Sequence, residues 1–226
     1  MKMPDLKVPK VQAAFDRLDH KPPALTDYLT DLRATWSSCE TTLTRTAFLI
    51  LTFAAAFVLV HGNGVTQLSF GGVSISKVTI VLAAIPVIIA YLAYVMSQVG
   101  ATILYLGDIH DRLIREYWHQ FATAQLQETL RPPNSVGSAR ALADCLAETP
   151  SVLRKCLRAG GWLRFVAFVF GPLVFDIYAL VILWQTPKVP GLELVLATVL
   201  TFLFFTFCIP NLILIVDQFR DAGEDV

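Results

Sequence analysis

The chain has 226 residues, of which 55% are hydrophobic and 16% charged, and its mean hydropathy is +0.58. Ordinary soluble domains carry about 25% charged residues, and here the apolar excess is gathered into four long runs, so the chain reads as a polytopic membrane protein. Basic and acidic residues balance at 18 each, which removes the basic field that a nucleic-acid partner requires.

Residues 1–44 form a mostly polar amino-terminal segment. Val11, Phe15 and Leu18 share one helical face in KVQAAFDRLD, and Leu25, Leu29, Leu32 and Trp36 share another in a second helix from about Thr26 that leads directly into the first span. No cleaved leader is expected, because the first apolar run begins near Ala47.

The first transmembrane pair occupies 45–98. Span one is TLTRTAFLILTFAAAFVLV, residues 42–60, with Arg45 snorkelling to the headgroups, and span two is residues 78–96. The outer loop between them, residues 61–77, alternates as VTQLSF-GG-VSIS around Gly71-Gly72. That pattern fits a two-residue hairpin, although an isolated hairpin is marginal in water and a plain loop fits equally well.

Span two also carries small residues at spacings of three and four: Ala83, Pro86, Ala90, Ala93, Ser97 and Gly100. Such a seam lets helix backbones approach closely in lipid. It serves either packing within the chain or a subunit or pore-lining face.

Residues 99–160 form a cytoplasmic helical insert that lengthens span two. Ile109, Leu113, Tyr117, Phe121 and Ala124 make an apolar stripe, opposite the pairs Asp108–Arg112 and Asp111–Arg115 at i,i+4. The stripe needs a cover, either the amino-terminal helices or a neighbouring copy. The helix is expected to stop before Pro132-Pro133, followed by short helices in SARALADCLAE and TPSVLRKCLRAGG, with Gly160-Gly161 breaking the chain before span three.

The second transmembrane pair occupies 161–216, with span three at 162–184 between tryptophans and span four at 192–216, and a cytoplasmic tail follows at 217–226. Ala167 and Gly171 form a short small-xxx-small pair in span three. Superposing Cys39 on Cys156 lays the first pair of spans on the second, a weak echo of a parallel repeat.

Seven Lys or Arg lie in the first 45 residues and seven more in 99–160, while the outer stretches carry only Lys77 and Lys188. The positive-inside rule therefore places both termini and the insert in the cytoplasm, in a plasma (inner) membrane.

FGPLVFDIYALV sets one carboxylate, Asp176, near the middle of span three, with Pro172 one turn earlier on the same face. An aspartate at the bilayer centre costs about 2.5–3.5 kcal/mol to insert, and Pro172 frees the carbonyl of Phe168. Tyr178, Thr201 and, nearer the cytoplasmic side, Asn211 complete the candidate intramembrane polar site. No basic residue lies at the depth of Asp176, so it is either a proton or ion site or a neutral acid bonded between helices.

His110, Asp111, Glu116 and His119 contain one Glu-x-x-His spacing, but a di-iron site needs a matching copy on other helices. No metal or cofactor is assigned. Cys39, Cys145, Cys156 and Cys208 show no CxxC pairing and read as reduced. No nucleophile triad or phosphate-binding loop occurs, so no enzyme activity is assigned.

The chain thus reads as all-α, a small integral membrane protein of helix-bundle type. It is expected to be homo-oligomeric and to conduct a proton or ion at Asp176. The alternative is a membrane-anchored structural or signalling subunit whose cytoplasmic helices dock a soluble protein.

Overall fold

The computed structural model describes residues 22–62, 68–70, 73–75, 78–117, 151–186 and 191–224. Four long helices dominate it: α1 (Pro22–Gly62), α2 (Val78–Tyr117), α3 (Ser151–Gln185) and α4 (Gly191–Glu224). The helix expected at 10–19, the far end of the stripe at Phe121 and Ala124, His119, Cys145 and the Pro132-Pro133 stop lie outside the described residues.

α1 opens on Pro22-Pro23, where the first turn has no use for the missing N–H groups, and runs without interruption through the first apolar run. Its threonines do not obstruct this. Thr42, Thr44, Thr46 and Thr52 each donate to the carbonyl four residues back, at 2.8–3.0 Å. A hydroxyl satisfied within its own helix makes no demand on the surroundings.

Between α1 and α2, β1 (Leu68–Phe70) and β2 (Val73–Ile75) pair antiparallel, with Phe70 opposite Val73 and Leu68 opposite Ile75. The short hairpin is the one departure from helix among the described residues.

α2 continues past its apolar run to Tyr117. α3 corrects an expectation: Gly160-Gly161 does not break the chain, and one helix passes through both glycines. Each costs about 1 kcal/mol relative to alanine, but extending an existing helix adds a bond per residue without a new nucleus.

α1, α2 and α4 contain stretches long and apolar enough to cross a membrane, and α3 contributes a shorter apolar segment, Val169–Gln185. α2 is the central helix. Its Leu82, Ile85, Ile89 and Met96 share a core with Ile50 and Phe57 of α1 and Ala179 and Leu183 of α3. α4 lies along the seam of small residues: Gly100 faces Ile215 closely enough that an added Cβ would sit 3.4 Å from Ile215 Cδ1, and Tyr91 and Tyr94 meet Phe204 at ring separations of 5.5 and 6.4 Å.

The seam positions Ala83, Pro86, Ala90, Ala93 and Ser97 are all buried inside the chain, Ala90 completely. Large residues there cannot be absorbed by solvent. Ala90→Leu is expected to cost about 1–3 kcal/mol by overpacking, and a detergent melting curve that does not move would contradict this packing.

Beyond the apolar spans, the ends of α1 and α2 pack on each other. Leu32 joins Ile109 and Leu113, with Tyr117 against the cluster, and Trp36 lies over Gly107, where a Cβ would come within 3.3 Å of the indole. The cover of the described part of the apolar stripe is therefore α1 of the same chain.

Candidate functional site

Asp176 is 1% exposed, and neither of its carboxyl oxygens has a hydrogen-bond partner among the described residues. Helical phase explains its direction: Pro172, Asp176, Ala179 and Leu183 form the buried stripe of α3, while Val174, Ile177 and Val181 face outward. The carboxyl is thus carried inward by the face that packs the core.

Its sequence neighbour Phe175 ties α3 to α1. Phe175 packs edge-on against Phe57 at 5.7 Å, and Phe57 shares a cluster with Ile85 and Ile89.

A second buried polar atom without a partner among the described residues lies on α4. Asn211 Nδ2 donates to Ser97 Oγ at 3.1 Å, a sequence separation of 114, and the Gly100–Ile215 and Tyr94–Phe207 contacts keep α2 and α4 in that register. Carried back toward the outer end, the register sets Thr201 beside the turn that begins at Pro86. Thr201 is 2% exposed and its hydroxyl has no partner among the described residues.

That is unusual in this chain. Thr186, Thr198 and Thr206, like the threonines of α1, bond back to their own helix, whereas the Thr201 hydroxyl does not. Pro86 adds a third group, because its ring nitrogen cannot donate to the carbonyl of Leu82. The bundle interior thus holds a buried carboxyl on α3, a buried hydroxyl on α4 and a freed carbonyl on α2. Buried polar groups are ordinarily paired, and in an apolar interior each unpaired one is costly.

The other sequence candidates fall elsewhere. Pro172 is buried on the Asp176 face. Tyr178 is 52% exposed and turned outward, with its ring 6.3 Å from Phe175. Asn211 is held by Ser97, which itself donates to the Tyr94 carbonyl at 2.8 Å. That pair joins one residue of the polar set to one of the seam. Asn211→Ala is expected to cost about 0.6–1 kcal/mol, with most of it shared with Ser97→Ala in a double-mutant cycle; strictly additive losses would show that the two side chains do not interact.

His110 forms a separate polar point at the far end of α2. It is fully buried, with Nδ1 3.1 Å from Asp111 Oδ1, its ring edge-on to Trp36 at 5.8 Å, and Nε2 without a partner among the described residues. Trp36 Nε1 donates to Glu40 Oε1 at 2.9 Å. Asp108 pairs with Arg112 at 3.0 Å on the outer face, and Arg115 Nε donates to the backbone carbonyl of Asp111. Among the described residues no group of three His, Cys, Asp or Glu is placed to hold a metal ion. Cys39 and Cys208 are free thiols.

Sequence reasoning singled out Asp176 and Thr201 but missed His110 as a buried group. Comparison with protein-family models, curated proteins and solved structures finds no match, so the functional reading rests on this geometry.

Proposed function

We propose that the chain is a four-span membrane protein, with both termini and the segment 99–160 on the cytoplasmic side, that assembles as a homo-oligomer and passes a proton through the layer of Asp176. The observation that carries this reading is the buried carboxyl of Asp176, whose two oxygens have no partner among the described residues. Intramembrane carboxyls that face a bundle interior mark ion and proton pathways. Asp176 offers two carboxyl oxygens, whereas hard divalent cations take about six oxygens or more. A proton needs only one acceptor, so Asp176 suits it better.

The rival reading is an anchoring or signalling subunit that docks a soluble protein on its cytoplasmic stripe. Ile109 and Leu113 are already covered by Leu32 of the same chain, which takes away part of the motive for it. The deciding measurement is proton flux in proteoliposomes, for the wild type and for Asp176→Asn. Absence of flux from the wild type, or equal flux from both, would reject the proton pathway.

A further inference from the structure

α4 begins at Gly191 and carries Glu193 in its first turn. One oxygen of this carboxylate, Oε2, is buried without a hydrogen-bond partner among the described residues. An acid near the start of a helix is favoured by the helix dipole, and at the third position it ordinarily reaches back to the backbone N–H that precedes the helix. The residue before α4 is Pro190, which has no N–H to offer. A capping box therefore does not account for the buried oxygen.

Glu193, Ala197 and Thr201 recur every four residues along one side of α4. Ala197 and Thr201 are buried, and the adjacent Leu194 shares the core with Ala179 and Leu183, on the stripe of α3 that also carries Asp176. Trp184 Nε1 donates to Thr198 Oγ1 at 3.3 Å, which sets α3 and α4 in register near the ends where they follow one another in the chain. Counted from that tie at about 1.5 Å per residue, Thr201 lies about 4–5 Å deeper and Asp176 about 12 Å deeper, while Glu193 lies about 7–8 Å nearer the end. The three groups with unpartnered buried oxygens thus stand in order of depth, from Glu193 through Thr201 to Asp176. The other ionisable side chain described at this end, His61 of α1, is exposed and stacks on the ring of Phe57 at 6.0 Å.

We propose that Glu193 is the outer proton acceptor of the pathway and delivers protons to Asp176 by way of the Thr201 hydroxyl. This role rests on the proton reading of Asp176 and on the orientation proposed with it. A proton from outside water binds the Glu193 carboxylate, moves inward to the Asp176 carboxylate, and leaves Glu193 ionised for the next. The intervals exceed one hydrogen bond, so water must link the groups, and unpaired hydroxyl and carboxyl oxygens are the partners that buried water takes.

The test is inward proton flux in proteoliposomes of known protein orientation. Glu193→Gln should lower flux by about tenfold or more, as for loss of a proton-transfer group, and Glu193→Ala repeats that arm should the first variant fail to fold. Glu193→Asp should restore most of the flux, which a merely structural role would not require. Thr201→Val, of nearly the same shape, should also slow it, and His61→Gln should leave it unchanged. Absence of wild-type flux, or flux that Asp176→Asn does not lower, would reject the pathway and this role with it. Flux that depends on Asp176 but is untouched by Glu193→Gln would overturn the role of Glu193 alone, and full flux in Thr201→Val would overturn the relay through the hydroxyl.

Discussion

Asp176→Ala is expected to give a protein that is more stable than the wild type and passes no proton. The substitution removes two buried carboxyl oxygens that have no partner among the described residues, and an unsatisfied buried polar group costs about 1–3 kcal/mol. Against this stands the small void left by the carboxyl, which at about 24 cal/mol per Å³ offsets less than the gain. A net stabilisation of about 1–2 kcal/mol should raise the midpoint in detergent by roughly 3–6 °C for a chain of this size. Asp176→Asn keeps the volume but still buries an unpaired amide, so it should not share the gain. Both variants should lose proton flux by at least tenfold. Destabilisation by Asp176→Ala would mean that the carboxyl is a bonded element of the packing, and retained flux would place the pathway elsewhere. A group whose removal strengthens the fold is one the chain keeps for another purpose.

Trp36→Ala should give the largest loss of stability, about 3–5 kcal/mol, as expected for truncating a buried aromatic. Trp36 is 4% exposed. It covers Gly107, meets the edge of His110 and donates to Glu40, so its loss opens the contact between the amino-terminal part of α1 and the far end of α2. The effect should be local. Hydrogen exchange should rise sharply in residues 26–45 and 104–117, while Ile85 and Ile89 in the core shared by α1, α2 and α3 stay protected. Gly107→Val should reproduce the pattern from the other side, because a Cβ there meets the indole at 3.3 Å. Uniform exchange across all four helices would show instead that these ends fold as one unit with the spans.

Some of this architecture is legible in residue order alone. The apolar runs announce long helices because a bilayer demands about 20 apolar residues per crossing, and three of them lie in helices that meet that demand. The alternation around Gly71-Gly72 fits a hairpin and a plain loop equally, and the pairing of Leu68–Phe70 with Val73–Ile75 decides for the hairpin. The continuation of α2 to Tyr117 follows from the unbroken stripe at Ile109 and Leu113. Gly160-Gly161 shows the opposite case: local propensity marked a break, but cooperative propagation on both sides carries the helix through.

Composition and periodicity alone set the class of molecule, its helical spans and the oddity of a carboxylate in an apolar run, because these depend only on local residue chemistry and spacing. Tertiary structure decided what that carboxylate faces. Whether a hydroxyl bonds back to its own helix, as at Thr198, or is left unbonded within the bundle, as at Thr201, depends on how neighbouring helices are set in register. The same holds for Asn211 finding Ser97 across 114 residues and for Trp36 closing over Gly107 and His110. Helical phase fixes the direction in which a side chain leaves its own helix, and only the packing of the other helices determines what it meets there.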